Sequence, residues 1–218
     1  WPWEPTPDSA DPLKSADGTG NTKYMPDMVA YLDKQVGRLV AEVEALGLTN
    51  RTLIIFTGDK GTDRRITSRW SDGQVTRNVR GGKGTMTDAG TRVPLIASWP
   101  GVVKPGAVCD DLIDFSDFLP TCVEVAGAQA SARPVNGRSF AAQLLGEPGQ
   151  PRDWIHVQDH NRRYVRNRQF ILTSDGKLRR VVEIGQPPSD PLQEPLDPAA
   201  QAARRALQAA LKQAEDMD

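Results

Sequence analysis

The chain has 218 residues, 38% hydrophobic and 25% charged, with a formal net charge of -1; this suits one large globular domain, or a domain with a small appendage, and excludes a wholly disordered chain. Charges of both signs are scattered, so there is no basic stripe for nucleic acid and no acidic tail, and no apolar run reaches the roughly 18 residues of a membrane span. No secretory leader is visible, but the opening Trp1-Pro2-Trp3-Glu4-Pro5 lacks an initiating Met and reads as mid-protein sequence, so this says nothing about export.

Residues 1–22 are rich in Pro, Asp, Ser, Gly and Thr, which favours turns and extended surface segments. From Met25 to Leu46 the apolar positions Met28, Val29, Leu32, Val36, Leu39, Val40, Val43 and Leu46 step by three and four. That spacing predicts an amphipathic helix, with Pro26 tolerated in its first turn and Gly47 placed to stop it. The run Thr52-Leu53-Ile54-Ile55-Phe56-Thr57 is too continuously apolar for a strand with one wet face and predicts a buried, parallel one. A helix running into such a strand is half of a βαβ unit, and ligands of open α/β sheets collect at the carboxyl ends of strands. Chemistry is therefore to be sought at Gly58-Asp59-Lys60-Gly61.

Residues 60–92 form a long polar stretch without sustained period, and loops of that length in compact domains are functional or disordered. Val93 to Trp99 predicts another strand, with Pro94 near its start, and Asp114 to Val125 a helix ended by Gly127; Ser139 to Leu145 adds a short helix. Gly and Pro cluster at 146–151 and the pattern then changes. Trp154 to Val157, Arg163 to Val165, Gln169 to Thr173 and Lys177 to Val182 are short runs parted by turn residues, predicting a small antiparallel sheet, and 198–215 predicts a terminal helix. Cys109 and Cys122 form no metal-ligand spacing; free thiols, packing residues and, in an exported protein, a disulfide are all open.

An ordered set of short motifs then becomes specific: Tyr31-Leu32-Asp33-Lys34-Gln35-Val36-Gly37-Arg38-Leu39, Ile55-Phe56-Thr57-Gly58-Asp59, Gly81-Gly82-Lys83-Gly84-Thr85, Gly90-Thr91-Arg92-Val93-Pro94-Leu95, Trp99-Pro100-Gly101 and Asp117-Phe118-Leu119-Pro120-Thr121. In order and spacing they resemble the sulfatases of the alkaline phosphatase superfamily, strongly over residues 23–127 and weakly beyond. The resemblance implies an α/β fold, an alkaline phosphatase-like sheet flanked by helices and present in part, followed by a small C-terminal antiparallel sheet with a terminal helix. On this reading residues 1–150 are the C-terminal part of the catalytic α/β domain and residues 151–218 a small sheet-and-helix subdomain.

The family hydrolyses sulfate esters with a formylglycine, made from Cys or Ser in a CxPSR-like motif, beside a divalent cation, usually calcium, held by hard oxygen ligands. The resemblance makes Asp59 a metal ligand, though an Asp in a polar loop also serves as a turn cap. Lys60 occupies the family's next metal-ligand position, normally Asn or His; an ammonium has donors only, so it opposes a cation there. Lys83 matches the sulfate-contacting lysine and is the expected catalytic and substrate-binding residue, its flanking glycines letting backbone approach a small oxyanion. Thr85, Asp88 and Arg92 are read as ordering the loop, and His156 and His160 as surface or substrate-rim residues.

Neither Cys109 nor Cys122 stands in a CxPSR-like context, and the paired aspartates that complete the metal site are not recognisable. The expectation is a fragment of a periplasmic or secreted arylsulfatase-like enzyme acting on a sulfate-ester small molecule or a sulfated glycan, with the isolated chain inactive. A phosphodiesterase or phosphonate hydrolase of the same superfamily, and a non-catalytic module binding sulfated carbohydrate, are the alternatives.

Overall fold

The computed structural model describes residues 3–12, 20–129 and 135–216. The turn-rich opening is seen only in part, since residues 1, 2 and 13–19 lie outside the described residues. The chain divides into two compact units, Trp1–Ile54 with Ser98–Gly101, and Ile55–Ala97 with Val102–Asp218.

The first unit is built around α1 (Met25–Ala45). Asn21 starts it by accepting the Lys23 N–H into its side chain at 2.9 Å in a short 3-10 turn. Pro26 lies in the first turn, where a missing N–H costs nothing, and Gly47, at φ 66°, ends the helix. The N-terminal segment is tied on by polar contacts: Ser9 Oγ donates to Asp27 Oδ2 at 2.7 Å, and Lys34 Nζ lies 2.6 Å from Asp8 Oδ2. Trp3 and Tyr24 are buried, but no residue of α1 is, and Val29, Leu32, Leu39 and Val40 of its predicted apolar face are exposed. The Trp99 indole N–H donates to the Asn50 carbonyl at 3.0 Å.

The second unit opens with β1 (Ile54–Thr57), which reaches it from the first. A hairpin follows, β2 (Thr67–Ser71) with β3 (Thr76–Arg80), then α2 (Asp88–Thr91) and β4 (Leu95–Ser98), which neighbours β1 in a two-stranded sheet. β1 corrects the expectation of a buried strand: each of its residues is half-buried, with β4 its one neighbour among the described residues. The hairpin was hidden within the polar stretch 60–92. Asp72 turns it, its Oδ1 accepting the N–H groups of Gln74 at 2.9 Å and Val75 at 2.7 Å, with Gly73 at φ 91°.

α3 (Phe118–Val125) begins from a buried polar knot. Asp117, 2% exposed, accepts from Arg152 Nε at 2.8 and 2.7 Å, from the Arg138 N–H at 2.6 Å and from the Asp114 N–H at 2.8 Å. One helical turn on, Thr121 donates to the Asp117 carbonyl and accepts the Phe140 N–H, fixing α4 (Ala141–Leu144) nearby. The strands β5 (Ile155–Asp159), β6 (Arg162–Arg166), β7 (Phe170–Thr173) and β8 (Leu178–Arg180) then form an antiparallel sheet in chain order, separate from β1 and β4. Phe170 and Leu172 thus lie in a different sheet from Ile54 and Ile55, as the change of pattern after residue 146 implies.

α5 (Pro198–Glu215) starts at Asp197, whose side chain accepts the Ala200 N–H at 2.8 Å. Ala200, Ala203, Leu207, Ala210 and Ala214 are buried on one stripe, and most of them pack on Val165, Phe170, Leu172 and Leu178. The stripe is mainly alanine, so helix and sheet backbones approach closely.

The Asp117 knot yields a prediction. Asp117→Ala leaves the Arg152 guanidinium, whose side chain is 10% exposed, without its counter-charge. Breaking a buried pair on one side costs about 3–5 kcal/mol, to be read from urea unfolding; a loss under about 1 kcal/mol, the range of exposed pairs, would show the knot to be incidental.

Candidate sulfate-binding site

The second unit laces three stretches of backbone together after β1. The Gly61 N–H donates to the Gly90 carbonyl at 2.9 Å, the Gly82 N–H to the Ala89 carbonyl at 3.1 Å and the Lys83 N–H to the Thr62 carbonyl at 2.9 Å. Such crossings need residues without Cβ. A Cβ at Gly61 would lie 1.9 Å from the Ala89 carbonyl oxygen, and one at Gly90 2.2 Å from that of Thr85. Thr85 closes the tip, its Oγ1 donating to the Gly82 carbonyl at 2.6 Å and bonding Thr87 Oγ1 at 2.8 Å. Lys83 is therefore held by its backbone while its side chain stays exposed.

Asp59 lies just beyond the end of β1, also exposed, with Lys60 Nζ 3.1 Å from its Oδ2. The Lys60 ammonium bonded to it holds the Asp59 carboxyl below the ordinary carboxylate range, and the charge of Lys83 adds in the same sense. Asp63 is chelated by Arg65, with Nε 3.0 Å from Oδ1 and Nη2 3.2 Å from Oδ2. That bond, helped by the Arg65 N–H and by the charge of Lys83, lowers its pKa to about 2. Lys83 also acts electrostatically on both Asp59 and Asp63.

These residues do not by themselves make a calcium site. Among the described residues no three His, Cys, Asp or Glu converge on a metal position, and the Asp59 carboxylate already faces an ammonium. Calcium takes six to eight oxygens.

Asp88 and Thr91, on α2, are held by β6. Arg166 Nη1 donates to Asp88 Oδ1 at 2.6 Å, and Tyr164 OH bonds Thr91 Oγ1 at 2.6 Å. Neither Tyr164 nor Arg166 stood out in the sequence. Their signal is the alternation of Arg162, Tyr164 and Arg166 along a strand whose other positions are covered by α5. Arg92 is exposed beyond α2. His156 lies on β5 with Nε2 buried and without a hydrogen-bond partner among the described residues; His160 sits in the β5–β6 turn at φ 57°, bonded to Asp159. Cys109 and Cys122 are free and exposed.

The β1–β4 sheet, followed by an antiparallel sheet carrying a helix, makes this a chain of mixed α/β architecture. Residues 6–128 match the sulfatase family model. Over 126 residues the chain is 40% identical to bovine arylsulfatase A, covering 58% of this chain and 24% of that protein. Over 128 residues it is 32% identical to the ulvan-active sulfatase of Formosa agariphila, covering 59% and 20%. Among solved structures it resembles the PsFucS1 sulfatase of a Pseudoalteromonas species, with TM-score 0.61, 23% identity and coverage of 87% and 42%. It also resembles BT4656 in complex with its substrate D-glucosamine-2-N,6-O-disulfate, with TM-score 0.60, 20% identity and coverage of 87% and 40%. The chain belongs to the sulfatase family, and it spans less than half the length of each of these relatives.

The Asp63 chelate gives a pH test. Its pKa is depressed in the folded state, so its contribution is complete above about 4, the unfolded value, and is lost as pH falls through about 2. The Asp63 carboxyl resonance is expected to titrate with a midpoint near 2, and Arg65→Ala to raise it only part of the way to the ordinary range, since the residue-65 N–H and the Lys83 charge still act on it.

Proposed function

We propose that this chain supplies the sulfate-holding side of a sulfuric ester hydrolase. The observation that carries the reading is Lys83: an exposed ammonium on a loop whose backbone is fixed by glycine crossings, its charge acting on Asp59 just past the end of β1. Its three N–H donors suit the non-bridging oxygens of a sulfate ester. Such charge-assisted bonds strengthen as negative charge builds during S–O cleavage. Membership of the family and 40% identity to arylsulfatase A support this chemistry over other oxyanions.

The substrate class is a sulfate-ester small molecule or a sulfated glycan; the relatives named for ulvan and for a disulfated glucosamine support the glycan arm. In the whole protein a formylglycine supplies the attack on sulfur, and this chain holds no Cys or Ser in a CxPSR-like setting to provide it. Asp59 is the carboxylate this chain offers to calcium, and Lys60 is the group that opposes it. Family membership supports a periplasmic or secreted whole protein; among the described residues no helix is long and apolar enough to cross a membrane.

Two outcomes follow. Inorganic sulfate should perturb the amide resonances of Gly82, Lys83 and Thr85, and Lys83→Gln should weaken that binding about tenfold, the scale of a charge-assisted contact worth about 1.4 kcal/mol. The chain as given should show no turnover of a chromogenic aryl sulfate, even with calcium; turnover abolished by Lys83→Gln would overturn the second expectation. Calcium calorimetry tests Lys60 separately. Lys60→Asn exchanges a like charge for an oxygen ligand, so its calcium affinity should exceed that of the unaltered chain. Equal affinities would remove Lys60 as the opposing group.

A further inference from the structure

β6 lies inside the antiparallel sheet, between β5 and β7, and its two faces do different work. Val165 packs into the core against α5, and Arg163 on the same face reaches Glu215 of that helix at 3.8 Å. The alternate positions face the glycine loop. Tyr164 bonds Thr91, Arg166 pairs with Asp88, and Arg162 Nη2 reaches the Gly84 carbonyl at a long 3.5 Å. Thr91 Oγ1 already donates its one proton to the Thr87 carbonyl, so the Tyr164 hydroxyl is the donor in their bond. Burial pushes the Tyr164 phenol up, which keeps that proton in place.

These contacts connect to Lys83 through short steps. Asp88 and Thr91 are the two ends of α2. Between them Ala89 accepts the Gly82 N–H and Gly90 accepts the Gly61 N–H, while Thr87 just before them bonds Thr85. Lys83 therefore sits between two residues, Gly82 and Gly84, whose backbone is fixed from α2 or reached from β6. The Arg166 side chain is 9% exposed, and Asp88 Oδ2 is buried with no hydrogen-bond partner among the described residues. The carboxylate thus depends on Arg166 for its charge balance.

We propose that Tyr164 and Arg166 are positioning residues for Lys83, with β6 acting as a splint that transmits the rigidity of the C-terminal sheet and α5 to the sulfate-holding loop. The inference rests on the reading of Lys83 as the sulfate contact. It assigns the C-terminal sheet a role in that site without any contact of its own to sulfate. Arg162, at its longer distance, contributes less than the other two.

Hydrogen exchange on the full chain tests the splint directly, because it needs no ligand. The amides of Gly82, Lys83 and Thr85 should exchange about tenfold faster in Tyr164→Phe and in Arg166→Met, since local opening then loses one of its restraints. Arg166→Lys should recover part of the protection by restoring the charge. Phe140→Leu, at a buried ring packed against Phe118 and on no strand of the sheet, serves as the control: it lowers the urea midpoint by opening a core cavity yet leaves the excess local exchange of the loop unchanged. In the same samples inorganic sulfate should bind about threefold or more weakly to Tyr164→Phe and Arg166→Met than to the unaltered chain, with affinity retained in Phe140→Leu. Folded Tyr164→Phe and Arg166→Met chains with unchanged loop exchange would overturn the splint. Faster loop exchange in a chain that fails to bind sulfate even unaltered supports the splint and overturns the reading of Lys83.

Discussion

The site depends on backbone passing backbone at contact distance. In this region Gly61, Gly81, Gly82 and Gly90 are positions where an added Cβ would fall under 3 Å from neighbouring main chain, including 2.1 Å from the Asp63 carbonyl at Gly81. No rotamer change relieves such a clash, because the obstructing atoms are main chain. The glycines are therefore a steric requirement of the crossing itself. They lose more conformational entropy on ordering than other residues, so the loop must be compensated from elsewhere. Part of the compensation is local, in the hydrogen bonds among Thr62, Gly82, Ala89 and Gly90. The rest comes from outside the loop, through Arg166 and Tyr164.

That division explains why the C-terminal sheet matters to residues distant in sequence. A glycine loop held only by its own main chain opens readily, and an ammonium on a mobile support binds an oxyanion at the cost of ordering both. A splint from a packed sheet lowers that cost before ligand arrives. β6 is suited to it by the period of two along a strand: Val165 buries against Leu172 and α5, and Tyr164 and Arg166 point the other way without competing for that core. The alanine stripe on α5 matters for the same reason, since close helix packing gives the sheet a rigid backing.

Much of the architecture was legible because its signals are local. The period of α1, the stop at Gly47, the strand at Ile54 to Thr57 and the four short C-terminal runs all correspond to elements of the structure. The β2–β3 hairpin escaped because Thr67, Ser68, Arg69, Ser71, Thr76, Asn78 and Arg80 are all exposed, so neither face carries an apolar alternation to read. β1 misled in burial, since apolar content reports what a strand is suited to meet, and with β4 its one neighbour among the described residues it stays half-covered. Short motifs pointed to Asp59, Lys60 and Lys83, and the structure sets the Asp59 and Lys60 side chains in contact just past β1. For Tyr164 and Arg166 the alternation along β6 was the one local signal, and it names no partner, because Thr91 and Asp88 lie more than seventy positions earlier.

Lys60 changes what the polar surface prefers, and the reason lies in where its charge sits rather than in the bond it makes. Its contact with Asp59 is exposed on both sides, 49% and 81%, so the bond itself is weak and an arriving cation could displace it. Displacement does not remove the ammonium, which stays tethered one residue from the carboxylate and repels the cation from its new position. An anion meets the opposite situation. Lys60 and Lys83 both act on Asp59, so a sulfate entering beside Lys83 would gain a second cationic neighbour, while the nearby carboxylates Asp59 and Asp63 are paired with Lys60 and Arg65. On the proposed reading, the lysine that opposes calcium at this surface therefore favours the sulfate group. For that reason the responses of Lys60→Asn to calcium and to sulfate should have opposite signs.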